Sequence, residues 1–281
     1  MKILSLETGS FKLDGGALFG VVPKVLWQKN FISDNNNRLT IPMRSLLIDN
    51  GKRRILLDTG IGDKQDEKFF GIYEIDLHPT FQQSLAAVGY KPEDITDVVI
   101  SHLHFDHCGG ALRYDENKNI VPSFPNAQYH ISNKHWHWAK KSNPLEKASF
   151  LKENFLSLEQ SGQLNLIDKE TGIIPELELR MFYGHTEGQI VSFIHTHNKT
   201  LVYIADVIPV AAHIPLPYIC AYDIRPLISI EEKEQFLSEA LSGNYTLFFE
   251  HDPLTECCNL MSTPKGIRAG KMFSLSEWKQ C

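Results

Sequence analysis

The sequence has 281 residues, 42% of them hydrophobic, with a formal net charge of −6 and a pI near 6.1. Such a chain can bury a sizeable core, as one large domain or two small ones, and its acidic balance argues against a nucleic-acid partner, which calls for a basic face. The start, Met1-Lys-Ile-Leu-Ser, is too short and interrupted for a signal peptide, and no run approaches the roughly 18 apolar residues of a membrane span, so a cytoplasmic protein with no membrane contact is expected.

The five cysteines, with Cys257 and Cys258 adjacent and Cys281 last, form no disulfide framework and read as reduced thiols. Residues 1–40 are a mixed lead, and Asp34 to Asn37 reads as a surface turn. Met43–Asp49 and Arg54–Leu57, joined at Asn50-Gly51, predict a β-hairpin that ends in Asp58-Thr59-Gly60. The spacing of Phe81, Leu85 and Val88 predicts a helix over 78–88, stopped by Gly89. Pro92-Glu93-Asp94 opens a short turn. Val98-Val99-Ile100 reads as a buried strand that delivers the loop 101–110, Ser-His-Leu-His-Phe-Asp-His-Cys-Gly-Gly.

Gln128–Ile131 is a further strand, Ser132 an N-cap for a helix through Trp136, and 145–160 reads as helical. In the second half, Leu177–Phe182 leads to Gly184-His185-Thr186. Ile190–His195 and Leu201–Ile204 make a hairpin turning at Asn198 and ending in Ala205-Asp206. Glu231–Leu241 is helical, and Tyr245–Phe249 is a last buried strand before Glu250-His251-Asp252. No repeat or low-complexity linker separates the halves, so a single αβ domain over 1–281 is expected, with 252–281 as its tail.

His102, His104, Asp106 and His107 place four ligand-type side chains within six residues. Imidazole nitrogen and carboxylate oxygen suit zinc and similar divalent ions. One histidine after a strand is usually a hydrogen-bonded or surface residue. Four such residues in a loop that closes on Gly109-Gly110, joined by His185, Asp206 and His251 at other strand ends, are far more specific. His102 and His104 can hold one ion and Asp106 and His107 a second; His185 and His251 add an imidazole to each, and Asp206 is the natural bridging carboxylate.

These motifs resemble the metallo-β-lactamase superfamily: His-x-His-x-Asp-His at 102–107, Asp-Thr-Gly at 58–60, Gly-His-Thr-x-Gly at 184–188, Asp206 and His251, over roughly residues 40–255. The resemblance implies a four-layer αββα sandwich with two metals at one edge of the sheets. It puts His102, His104 and His185 on the first metal, Asp106, His107 and His251 on the second, and Asp206 between them. The long lead and the run from Leu85 to Val99 are similar to the branch that holds the acyl-homoserine lactone lactonases and methyl parathion hydrolase. Asp206, where many β-lactamases carry cysteine, argues against antibiotic hydrolysis. Only 30 residues follow His251, too few for the helical domain of glyoxalase II, and the acidic balance disfavours ribonuclease Z. One departure stands out: the lactonases place a tyrosine three residues after the bridging Asp, where this chain has Pro209, leaving Tyr218 or Tyr222 as replacements.

The expected activity is therefore hydrolysis of a lactone or carboxylic ester by water activated between two divalent ions, zinc by preference. Asp106 would orient the nucleophile and pass its proton to the leaving oxygen, and Asp58 would hold a ligand histidine. Alternatives on the same residues are a phosphodiesterase or phosphotriesterase, a thioester hydrolase, or a non-haem iron redox protein. The partner is a small-molecule substrate; the oligomeric state is open, a homodimer included. Cys108 is expected to pack behind the loop. His135 to Trp138 would form a half-buried helix face, His213 reads most simply as structural or exposed, and the 207–225 loop that carries it is the choice for substrate contact.

Overall fold

The computed structural model describes residues 1–280; Cys281, counted above among the reduced thiols, lies outside the described residues. The chain divides into two compact units, one of Met1–Phe11 with Pro42–Lys169 and one of Lys12–Ile41 with the chain from Glu170 on.

The first unit is organised on a six-stranded sheet. Its strands are β1 (Lys2–Asp14), β2 (Arg38–Asp49), β3 (Arg54–Leu57), β4 (Asp97–Val99), β7 (Gln128–Ser132) and β8 (Leu164–Ile167), paired in that order. Two short strands, β5 (Leu112–Tyr114) and β6 (Ile120–Pro122), pair separately. β2 and β3 form the predicted antiparallel hairpin, with Leu46 opposite Leu57. From β3 through β4 and β7 to β8 the pairing is parallel. That explains why Val98 and Val99 lack alternation: a parallel strand is covered on both faces and reads as a continuous apolar run. The core gathers Leu47, Leu56, Val98, Ile100, Tyr129 and Trp136 around this sheet.

The second unit carries a seven-stranded sheet, paired β15-β14-β13-β12-β11-β10-β9. Its strands are β9 (Thr171–Ile174), β10 (Leu177–Phe182), β11 (Gln189–His195), β12 (Thr200–Tyr203), β13 (Thr246–Phe248), β14 (Cys257–Thr263) and β15 (Gly266–Phe273). β11 and β12 form the predicted hairpin, its turn spanning 196–199, and β12 and β13 are parallel. The helix Pro226–Ser242 packs Phe236, Leu237 and Ala240 against Val191, Phe193, Val202 and Leu247.

Several expectations need correction. The lead is not irregular: β1 is a 13-residue strand, and the short helices Gly15–Phe19 and Lys24–Trp27 follow it. The helix expected from His78 begins at Phe81, because Pro79 cannot supply a helical N–H and Thr80 makes a capping box with Gln83. The stretch 145–160 is not one helix but turns, a 3₁₀ segment at Lys152–Asn154 and a short helix at Leu158–Ser161. Glu146, Phe150, Asn154 and Leu158 are buried at helical spacing, but Asn143 caps the backbone of Leu145 and Glu146, and Asn154 pairs with Gln65. β13 is not the last strand, since the tail folds into the β14–β15 hairpin and a helix from Leu275. Among the described residues no helix is long and apolar enough to cross a membrane.

Candidate metal-ligand clusters

In the first unit the ligand-type residues follow β4, and a backbone staple fixes their loop. Asp58 follows β3 with a left-handed φ of 55°. Next to it, Thr59 donates through its N–H (2.8 Å) and its hydroxyl (3.0 Å) to the His107 carbonyl. Gly110 donates to the Gly60 carbonyl at 3.0 Å. A Cβ on Gly109 would lie 1.9 Å from the Ile61 carbonyl oxygen, and one on Gly110 would lie 2.2 Å from that of Thr59. The glycine pair that closes the motif is therefore a requirement of close backbone approach. Lys64, buried, donates to the carbonyls of Gly109 and Leu112 and draws the end of the loop inward.

Hydrogen bonds behind the rings fix which nitrogen each histidine presents. The fully buried Asp58 carboxylate accepts from the Ser101 N–H (2.6 Å), from the Ser101 hydroxyl (2.6 Å) and from His107 Nδ1 (3.0 Å). A carboxylate offers only acceptors, so Nδ1 of His107 carries the proton and Nε2 is left with its lone pair. With its hydrogen given to Asp58, the Ser101 oxygen accepts from His102 Nδ1 at 3.1 Å, so His102 also presents Nε2. His104 is turned the other way. Its Nε2 lies 3.5 Å from the buried Glu146 carboxylate, and its Nδ1 lies 2.9 Å from Nε2 of His102. One proton can bridge the two nitrogens, and its release would leave two imidazole donors facing one cation. This donor set fits a divalent metal. The Asp106 carboxylate, 3.7 Å from His107 Nε2, provides a second pair of donors in the same unit.

Three neighbours of this cluster were not expected from the sequence to support it. His135 Nε2 accepts from the Leu103 N–H at 2.7 Å, holding the backbone between the first two ligand histidines. Glu146 is itself held by Trp138 Nε1 (2.6 Å) and Asn143 Nδ2 (2.8 Å). Ser101 links Asp58 to two rings. The expected half-buried face of His135–Trp138 is thus partly a scaffold for the loop. Cys108 packs behind the loop as expected, donating to the Leu103 carbonyl, and burial pushes its thiol far above the ordinary range.

In the second unit the three ligand-type residues also stand beyond strand ends: His185 after β10, Asp206 after β12 and His251 after β13. Asp206 divides its oxygens, with Oδ2 3.2 Å from Nε2 of His185 and Oδ1 3.4 Å from Nε2 of His251. That is the disposition a bridging carboxylate needs. His185 Nδ1 bonds Asp223 at 2.9 Å, so this ring too presents Nε2. The Gln189 amide, with its oxygen toward the backbone, accepts from the N–H groups of Val207 (3.1 Å) and Asp206 (3.3 Å). Glu232 accepts from the N–H groups of Tyr183 (2.8 Å) and Gly184 (2.9 Å), setting the turn that carries His185. Asp223 and Glu232 lie in stretches with no motif, and only their partners mark them. Asp252 is turned onto the backbone, accepting from Ala211, Leu254 and Thr255 at 2.8 Å each.

The 207–225 loop expected to contact substrate is clamped from beneath. Lys233, buried, donates to the carbonyls of His213 (3.0 Å), Pro215 (3.2 Å) and Tyr218 (2.7 Å), and burial lowers its ammonium to about 8. His213 is structural: its buried ring stacks on Phe19 at 4.9 Å, Nε2 bonds the Leu18 carbonyl, and burial lowers its pKa to about 4.

Comparison with known proteins agrees with this reading. The chain is 27% identical over 178 residues to an N-acyl homoserine lactonase of Bacillus cereus, a match covering 59% of this chain and 63% of that one. It thus spans less than two thirds of the length of that relative. Among solved structures it is similar to a probable metal-dependent hydrolase from Staphylococcus aureus, with a TM-score of 0.88, 28% identity and coverage of 97% and 96% of the two chains. It also shares its fold with AidC, a dizinc quorum-quenching lactonase solved with a product, at a TM-score of 0.77, 23% identity and coverage of 96% and 94%. The profile described as Metallo-beta-lactamase superfamily matches residues 44–251, from β2 to the last ligand-type histidine. With its motifs, its sheets and this match in agreement, the chain belongs to the metallo-β-lactamase superfamily and has that family's α/β fold.

Proposed function

We propose that the two units act as one catalytic domain whose seven side chains, His102, His104, Asp106, His107, His185, Asp206 and His251, hold two divalent ions, and that the protein hydrolyses a lactone or carboxylic ester. The observation that carries this reading is the disposition of lone pairs. In each cluster rings are fixed from behind so that they present bare nitrogens: Nε2 of His102 and His107 in the first unit and Nε2 of His185 in the second. Donor arithmetic supports joining the sets. Zinc takes about four ligands. The first unit offers two donors from His102 and His104 and two from Asp106 and His107; the second offers one imidazole and one Asp206 oxygen for each pair.

Divalent ions bound there would acidify a water and polarise a carbonyl. The chain's own part follows from its geometry. Asp58 fixes His107 directly and His102 through Ser101, and Asp223 fixes His185. Asp106, whose side chain keeps 11% exposure, can take the proton of an attacking water and return it to the leaving oxygen. Beside it, burial and then the Asp106 charge raise the phenol of Tyr73 above its ordinary range. Tyr73 therefore stays neutral and can donate to a polar group of the substrate. The similarity to lactonases favours an uncharged cyclic or linear ester as substrate.

The test is a hydrolysis panel with metal-loaded protein: lactones of graded acyl length, aryl esters, phosphotriesters, phosphodiesters, a thioester and a β-lactam. Lactone or carboxylic ester turnover should exceed the rest. A phosphoester cleaved faster than every carbonyl substrate would overturn the substrate class.

A further inference from the structure

The second unit contains a cavity of about 650 Å³ lined by none of the seven metal-type residues. That is within the roughly 300–1,000 Å³ of small-molecule sites. Its walls come from the Lys24–Trp27 helix and the segment after it, from the 211–218 loop, and from β15 with the residues before β14.

The aromatic wall is rigid. Trp27, 3% exposed, stacks on Phe19 at 5.3 Å, and Phe19 stacks in turn on His213. Phe31 closes on Phe19 from another side at 5.2 Å. Lys233 holds the carbonyls of the 213–218 loop in place. A wall fixed before binding loses little freedom when a ligand arrives. Leu254 and Met272, 70% and 53% exposed, add apolar surface at the rim.

The charges on the lining have one sign left over. Among the described residues the Arg268 guanidinium makes a single hydrogen bond, from Nη1 to the carbonyl of the preceding residue at 2.7 Å, and meets no carboxylate. Lys29 likewise has no ionic partner among the described residues. The one acid on the lining, Asp252, is turned onto three backbone N–H groups. A cavity with an aromatic floor and two uncompensated cations suits a ligand that is apolar along its body and anionic at one end, since a guanidinium pairs with a carboxylate through two parallel hydrogen bonds.

We propose that this cavity is a second ligand site, separate from the metal-ligand residues, for an amphiphilic carboxylate with an aryl or medium-chain body. The geometry assigns Arg268 to the carboxylate and Trp27 to the apolar part. A second copy of this chain is the rival occupant of the exposed Leu254–Met272 rim. The unpaired basic groups favour the small anion, because nothing on the rim itself supplies a free carboxylate to meet them.

The test is calorimetric titration of the metal-loaded 281-residue chain with decanoate, with decyltrimethylammonium as the control of equal chain length and opposite charge. Decanoate should bind near one equivalent and the cation should not. Arg268→Gln should weaken decanoate about tenfold or more, the loss of one charge-assisted pair, while metal content, turnover and sedimentation coefficient stay as in the parent. Leu254→Gln, at an exposed position, should weaken decanoate less. Equal binding of anion and cation would overturn the proposal. So would decanoate binding that is untouched by Arg268→Gln and competes with substrate, which would place the carboxylate on the metals. A shift from dimer to monomer in Arg268→Gln would make the face an interface between copies and would overturn it as well.

Discussion

Replacing Asp58 by Asn changes one oxygen for an NH₂ group and should disable two of the proposed metal ligands, His102 and His107, through the hydrogen bonds behind them. The carboxylate accepts from the Ser101 N–H, the Ser101 hydroxyl and His107 Nδ1, at 2.6, 2.6 and 3.0 Å. In the amide, the remaining oxygen can keep the Ser101 N–H, but the new NH₂ faces the two other donors. The lowest-cost repair moves protons. His107 carries its hydrogen on Nε2 and accepts at Nδ1, while the Ser101 hydroxyl turns toward His102 Nδ1, 3.1 Å away, and sends that ring's proton to Nε2 as well. Every buried group is again paired, so the metal-free fold should lose only about 1–2 kcal/mol. Both rings, however, now point N–H groups where lone pairs were needed. A misoriented supporting residue typically costs about 10–100-fold in metal affinity for one ligand; two affected together put the loss at about 100- to 10,000-fold. Competition against a chromophoric chelator measures the affinity, and ¹⁵N shifts of labelled histidines report the tautomers in the metal-free protein. If Asp58→Asn binds both ions as tightly as the parent while its His102 and His107 tautomers have switched, the reasoning from proton position to metal affinity is refuted.

Other outcomes follow from single contacts. Asp206→Asn keeps the size but removes the second oxygen that reaches His251 or His185; it should fold, lose at least one metal by elemental analysis and lose activity by more than the roughly 100-fold of a supporting change. Gly109→Ala drives a methyl to 1.9 Å from the Ile61 carbonyl and should abolish ordered metal binding, whereas Gly51→Ala meets nothing within 4 Å and should cost about 1 kcal/mol, from its φ of 89°, with unchanged turnover; denaturant midpoints and metal content separate the two. Burial keeps His213 uncharged down to about pH 4, while the unfolded side chain takes its proton near 6.5. Between those values the unfolded chain binds the extra proton, so stability should fall as pH drops through that window, by about 3 kcal/mol in all. Urea titrations of the parent and His213→Gln at pH 7 to 4 check this, and equal pH slopes in the two would contradict it.

The ligand-type residues were legible in the sequence because a candidate metal site shows rare residue types at fixed spacing beyond strands, and buried strands announce themselves by apolar runs. What supports the ligands was not. Asp223, Glu146 and Glu232 are common residue types whose role comes from the partner that folding brings to them. His135 was visible only as part of a conspicuous His-Trp repeat, and its bond to the Leu103 N–H depends on tertiary placement. The break of the expected 145–160 helix has the same origin: tertiary bonds at Asn143 and Asn154 override a helical burial pattern. At the chain ends the signals were present but weak. Thr263-Pro-Lys-Gly266 is a turn sequence, and Gly266 sits at a φ of 93° in the β14–β15 hairpin. Those strands are half-exposed and lack a continuous apolar run.

The central claim is tested most directly by back-titration of chelator-stripped protein with zinc, following metal content and lactone or ester hydrolysis together. Activity should be absent without metal, rise with added zinc and break sharply at two equivalents per chain. Full activity at one equivalent, or hydrolysis that survives complete removal of metal, would contradict the account.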